Sequence, residues 1–321
     1  MRTRTFGRLG WPVSEIGYGM WGMGGWTGSN DEESIAALER AIARGCTFFD
    51  TALAYGQGKS ERLLGEVLAN HRDKTLTIAT KIPPMNLTWP AVASCPLDEV
   101  FPADYIRMCT ETSLLHLGLD CVDLQQFHVW TDAWATDDRW QRAVDDLKRE
   151  RLIRAFGISI NRWQPANVLA AIRTGLIDSV QVVYNVFDQD PEDELFPLCR
   201  EQHIAVIVRV PFDEGSLADS LTPGMTWPPG DWRNLYFSPD KLEETIRRVA
   251  IVKEDLPAGM PLPELALRHI LSNGAVSTVI PGMRRQQHVD ANLAVSDGTP
   301  LAPALLDRLK RHRWHRDYEV V

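Results

Sequence analysis

Short apolar runs alternate with amphipathic, helix-spaced segments along nearly the whole chain, and no other feature constrains the fold as strongly. The runs fall at residues 16–20, 47–49, 76–80, 122–127, 155–158, 180–183, 205–208 and 276–280. Helical spacing separates them at 31–44, 60–68, 104–116, 140–149, 165–173, 192–202, 241–253 with 263–271, and 286–294, and a last helix is expected at 302–310. In the first helix Ile35, Leu38 and Ile42 share one face; Asn30 and Asp31 suit its start and Gly45 its end. Strand–helix alternation requires parallel strands covered by helices. Eight such units in 321 residues predict a closed (β/α)8 TIM barrel, for which about 250 residues plus insertions is usual. Residues 2–14 read as an N-terminal β-hairpin turning at Gly7-Arg8-Leu9-Gly10. With no composition break, residues 1–321 are expected to form a single barrel domain.

Composition removes several function classes. A net charge of −9 argues against a nucleic-acid binder, which needs a basic face. No apolar run approaches the ~20 residues that span a bilayer. The N-terminus lacks the apolar stretch of a signal peptide, and the five cysteines include no C-x-x-C pair, as expected for reduced thiols in a cytoplasmic protein. His312 and His315 stand without further ligands, so no metal site is expected. Gly17-x-Gly19-x-x-Gly22 matches a dinucleotide fingerprint, but that motif needs a helix starting at its third glycine. Here the helix starts only near Asn30, so the glycines are expected to let the first loop pass close to a bound ligand.

Four chemistry-bearing residues sit at equivalent places. Asp50 and Tyr55 follow the second strand, Lys81 the third, and His128 ends the fourth. In a parallel barrel all carboxyl ends share one face, so these residues can converge. Singly, each has an ordinary structural role; together they suit proton transfer to a carbonyl oxygen. Lys81 is expected to lower the pKa of Tyr55, Asp50 to pair with Lys81, and His128 to orient the carbonyl.

The stretches Phe48-Phe49-Asp50-Thr51-Ala52 with Tyr55-Gly56, then Thr80-Lys81, Gln126-Phe127-His128, Gly157-Ile158-Ser159 and Ile280-Pro281-Gly282 resemble the aldo-keto reductases, from the hairpin to about Asn292. The resemblance implies a barrel enzyme that uses NADPH, or less often NADH, to reduce aldehydes and ketones without a metal. It implies Asp50, Tyr55, Lys81 and His128 as the catalytic tetrad, with Tyr55 the general acid. It places Asp50 and Gly19-Met20-Trp21 at the nicotinamide end, and Ser159 and Gln181 on the carboxamide. The family's adjacent Ser-Asn pair is split here, as Ser159-Ile160-Asn161. Arg209 stands where many members stack an aromatic ring on the nicotinamide. Val210, Pro211, Phe212, Gly215 and Leu217 follow it in the cofactor loop, and Ile280 and Gly282 belong to the loop after strand eight. Arg284 would hold the 2′-phosphate of NADPH, with His288 and Asn292 toward the adenine. The family also contains regulatory subunits that keep the tetrad, and the same groups serve oxidation of a sugar or alcohol with NAD(P)+. Those are the two alternatives to a reductase.

Two long loops, 82–102 and 211–240, follow strands and are expected over the active face. Seven of the eleven tryptophans (Trp21, Trp26, Trp89, Trp130, Trp134, Trp227 and Trp232) lie in loops expected on that face. They suggest a small-molecule carbonyl substrate that is bulky or aromatic.

Overall fold

The computed structural model describes residues 1–26 and 28–316. A hairpin of β1 (Thr3–Phe6) and β2 (Trp11–Ser14) precedes the barrel strands β3 (Tyr18–Gly19), β4 (Phe48–Asp50), β5 (Thr77–Ile82), β6 (Val122–Phe127), β7 (Ile153–Ser159), β8 (Ser179–Val183), β9 (Ala205–Arg209) and β10 (Val276–Val279). The helices are α1 (Asp31–Ala43), α2 (Lys59–Ala69), α3 (Leu97–Val100), α4 (Ala103–Leu117), α5 (Asp138–Arg149), α6 (Leu169–Arg173), α7 (Leu195–Glu201), α8 (Arg233–Tyr236), α9 (Pro239–Glu254), α10 (Leu262–Leu271), α11 (Gln286–Ala294) and α12 (Pro303–Leu309). The eight parallel strands run in sequence order, and bridges from Ile16 to Val279 and from Gly19 to Gly282 bring the ends together. Among the described residues no helix is long and apolar enough to cross a membrane.

Period-two alternation sorts each strand into an inner and an outer face. Outward residues such as Phe49, Ile78, Phe127, Phe156 and Val206 pack under the helices. Inward residues near the strand starts (Phe48, Ala79, Leu124, Ala155, Ala205 and Ile207) form a separate apolar cluster with Phe6 and Val13 of the hairpin. The hairpin therefore plugs the amino-terminal end; the rings of Phe6 and Phe48 lie 5.5 Å apart. Further along the strands the inward positions turn polar: Asp50, Lys81, Gln126, Ser159, Gln181 and Arg209. Ladder pairings Lys81–Gln126 and Ser159–Gln181 set these residues level across the barrel mouth.

The fingerprint glycines serve closure. A Cβ on Gly19 would stand 2.5 Å from the carbonyl oxygen of Ile280, and one on Gly17 3.1 Å from the Thr278 hydroxyl. Only a bare backbone lets the first and last strands approach so closely. Gly22 instead abuts the Arg284 side chain.

Most expected elements are present with ends moved by one to three residues, and β7 starts two residues earlier than expected. The helix expected from 165 is regular only over Leu169–Arg173. Its first turn is organised by a distant carboxylate: Asp132 accepts from the amides of Ala170 and Ala171 at 2.7 and 3.2 Å.

Candidate active site

The barrel mouth opens into a cavity of about 910 Å³. Asp50 ends β4, Lys81 lies on the inner face of β5, and His128 directly follows β6, its amide donating to the Ile82 carbonyl at 3.0 Å. Tyr55 follows β4 by a tight turn in which its amide donates to the Ala52 carbonyl and Gly56 adopts φ +61°. A Cβ on Gly56 would overlap the Gly24 carbonyl at 2.2 Å, so the two loops touch only because this residue is glycine.

Lys81 is fully buried, and its ammonium uses all three donors. Nζ donates to Asp50 Oδ2 at 2.6 Å, to the Thr51 carbonyl at 2.7 Å and to the Tyr55 hydroxyl at 3.3 Å. Asp50 Oδ1 accepts from Gln181 at 2.7 Å and Gln126 at 3.3 Å. The carboxylate is thus held by one cation and two amides. The rings of Tyr55 and His128 meet edge to face at 5.5 Å, and Trp89 also meets His128 edge to face, at 4.7 Å.

Burial works against the Lys81 charge, yet Asp50 and Tyr55 outweigh it and hold its pKa above the ordinary lysine value. Burial, then Lys81 and Arg209, push His128 well below 6.5, so its imidazole is neutral near neutrality. For Tyr55 the balance corrects the expectation from sequence. Lys81 does favour the phenolate, but burial is the larger effect and the pKa is raised. Desolvation of a phenolate in a closed barrel mouth outweighs one cation already shared with Asp50. Tyr55 is therefore a protonated phenol poised to donate.

Around this centre the cavity is lined by Gly19, Met20 and Trp21 from the first loop and by Ser159, Asn161 and Gln181 across the mouth. Arg209 through Phe212 and Gly215 form another wall, with Ile280, Gly282, Arg284 and His288 at the far end. Asn161 lines the cavity while its amide donates to the Ala91 carbonyl at 3.2 Å and to Gln164 at 3.0 Å. Leu217 is buried beneath the loop in a core cluster, and Asn292 is buried on α11; neither lines the cavity.

Of the seven tryptophans, Trp21, Trp26, Trp89 and Trp232 line the cavity. Trp130 and Trp134 are buried beside Phe127 and Trp140, and Trp227 stacks on Phe237. Both long loops reach the site, through Trp89-Pro90 and through residues 211–215 and 232–233. Arg162 and Glu214 also line it without having been singled out from sequence. Gln126 was legible: it shares the inward parity of Leu124 and so had to face Asp50.

The model of the Aldo/keto reductase family matches residues 15–313. The chain belongs to the aldo/keto reductase family. It is accordingly an NAD(P)H-dependent oxidoreductase of carbonyl compounds. It is 28% identical over 316 residues to an uncharacterized oxidoreductase, YqkF, of Bacillus subtilis, covering 97% of this chain and 96% of that one. It is 26% identical over 302 residues to an NADH-specific methylglyoxal reductase of Escherichia coli, covering 88% and 89%. The holo form of an aldo-keto reductase from Bacillus halodurans superposes with a TM-score of 0.79 at 27% identity, covering 99% of this chain and 98% of that one.

Proposed function

We propose that this aldo-keto reductase uses NADPH to reduce a bulky or aromatic aldehyde or ketone to an alcohol, with Tyr55 as the acid. One observation carries the reading: the buried Lys81 ammonium bridges Asp50 at 2.6 Å and the Tyr55 hydroxyl at 3.3 Å, beside a neutral His128. The nicotinamide, when bound, supplies the hydride. A carbonyl oxygen held by the Tyr55 hydroxyl and an imidazole N–H is polarised before hydride arrives. As negative charge develops on that oxygen, Tyr55 releases its proton, and the phenolate left behind is stabilised by Lys81. Asp50 keeps Lys81 charged and aimed, and Gln126 and Gln181 keep Asp50 aimed.

The cavity suits a dinucleotide in its own terms. The side chains of Ser159, Asn161 and Gln181 offer hydrogen-bonding groups at the tetrad end. Gly282 has open space where a side chain would stand, and Gly215 at φ +109° keeps the loop wall bare. At the far end Arg284 is half-buried near Arg285 and Arg233; burial and then these neighbours lower its pKa. Such crowding of cations is relieved by a phosphate. That supports NADPH, although the E. coli relative is described as NADH-specific. Trp21, Trp89 and Trp232 favour an apolar or aromatic substrate.

The test follows NADPH absorbance with a panel of aldehydes for the wild type and Tyr55→Phe. The expected outcome is reduction by the wild type, fastest with aromatic aldehydes, and a loss of about 10²–10⁴-fold in the variant with NADPH binding kept. Undiminished reduction by Tyr55→Phe removes Tyr55 as the acid. Higher specificity constants for aldoses overturn the substrate reading, and a clear NADH preference overturns the role of Arg284.

A further inference from the structure

Arg209 ends β9 on the inner face of the barrel, and among the described residues its cation has no carboxylate within ion-pair distance. Among the described residues its guanidinium donates one hydrogen bond, to a neutral acceptor, the Ile160 carbonyl, at 3.0 Å. Its Nε is buried without a hydrogen-bond partner among the described residues. The two carboxylates that act on it electrostatically, Glu214 and Asp50, are held by other cations. Glu214 accepts from Arg162 at 2.6 Å, and Asp50 from Lys81 at 2.6 Å. A guanidinium stays charged even when burial disfavours it. Among the described residues no carboxylate forms an ion pair with Arg209, so a ligand beside it meets a cation that no direct contact neutralises.

The tetrad says which part of the cofactor lies there. For hydride to reach a carbonyl held by Tyr55 and His128, the nicotinamide ring must stand about 3–3.5 Å from the carbonyl carbon. Tyr55 and His128 both feel the charge of Arg209, and all three line the same cavity. A ring beside the first two is within the field of the third. In the reaction, C4 of the dihydronicotinamide gives up a hydride and the carbonyl carbon gains a C–H bond. The oxygen takes the proton of Tyr55, and the ring changes from neutral to a charge of +1. We propose that Arg209 sets a preference for the reduced over the oxidised cofactor, by electrostatic repulsion of the cationic ring. This inference rests on the nicotinamide reading of the cavity. The ratio of the two dissociation constants isolates it, because adenosine and phosphate contacts are common to both forms. Unit charges about 6 Å apart at an effective permittivity of about 20 change such a ratio by roughly ten- to a hundredfold.

The experiment titrates NADPH and NADP+ into wild type, Arg209→Met, Arg209→Gln and Arg209→Lys, following quenching of the cavity tryptophans. The wild type is expected to bind NADPH more tightly than NADP+. The NADP+/NADPH ratio of dissociation constants is expected to fall about tenfold or more in the Met and Gln variants and to be retained in the Lys variant. An unchanged ratio in whichever neutral variant folds overturns the proposal, as does a Lys variant that behaves like the neutral ones. Equal affinities in the wild type overturn this inference alone. Failure of the wild type to bind either form overturns the nicotinamide reading and this inference with it.

Discussion

At the scale of single residues, the site is a contest between burial and charge. Lys81 wins its contest because Asp50 stands 2.6 Å away, and Tyr55 stays protonated because desolvation exceeds the pull of Lys81. The pH dependence follows in sign. Reduction needs the phenol, so activity is present below its folded pKa and is lost as pH rises through it. Because that pKa is raised, the alkaline fall in kcat is expected above pH 10.0, the ordinary tyrosine value. In Lys81→Met the cation that favours phenolate is gone, so the fall moves to still higher pH while the rate drops. A pH profile of kcat for both proteins checks this, and a fall moving to lower pH in the variant contradicts it. The four tetrad residues were legible because polar residues at strand ends break an apolar pattern. The direction of the Tyr55 shift was not, because burial depth is a property of the assembled mouth.

At the scale of elements, the loop after β9 is held in an unfavourable backbone. Val210, Asp213, Glu214 and Asp219 all adopt positive φ, and Val210 is β-branched, for which φ +55° is strained. A buried ionic network holds it. Asp213 accepts from Arg316 at 2.7 Å, from Ser216 at 2.7 Å and from Tyr236 at 3.0 Å, while Arg162 spans Asp213 and Glu214. Arg316 also donates to Asp188 at 2.5 Å. Removing one partner from a buried network leaves uncompensated charge, so Asp213→Asn is expected to destabilise by about 3–5 kcal/mol. It is also expected to speed amide exchange across residues 210–219. Urea unfolding and hydrogen exchange measure the two effects, and exchange confined to other segments contradicts the role of the network. Sequence placed this loop on the active face because it follows a strand. It could not show that Arg316, near the other end of the chain's last segment, fastens it.

At the scale of the whole molecule, closing eight strands buries groups that take no part in the chemistry. His269 on α10 is buried against Tyr184, with neither ring nitrogen hydrogen-bonded among the described residues, and burial lowers its pKa to about 4. A folded pKa below the ordinary 6.5 means the unfolded chain binds this proton first. Its effect is absent above 6.5, and stability falls as pH drops from there toward 4. The loss is on the order of 3 kcal/mol. Urea midpoints at pH 7 and 4.5 are expected to differ less in His269→Phe than in the wild type, and equal differences contradict this.

The order of strands and helices, and the parity that turns inward rows from apolar to polar, were set by the amino-acid order alone. Both are periodicities of 2.0 and 3.6 residues, and they need no partner to exist. Tertiary structure decided where those periodicities end: α6 begins where Asp132 reaches it, and β3 pairs with the last strand because Gly17 and Gly19 permit the approach. It also decided which cations meet a carboxylate directly: Lys81 does, and among the described residues Arg209 does not. Compensation depends on distances across the barrel between residues far apart in the chain, and only closure of the sheet creates those distances.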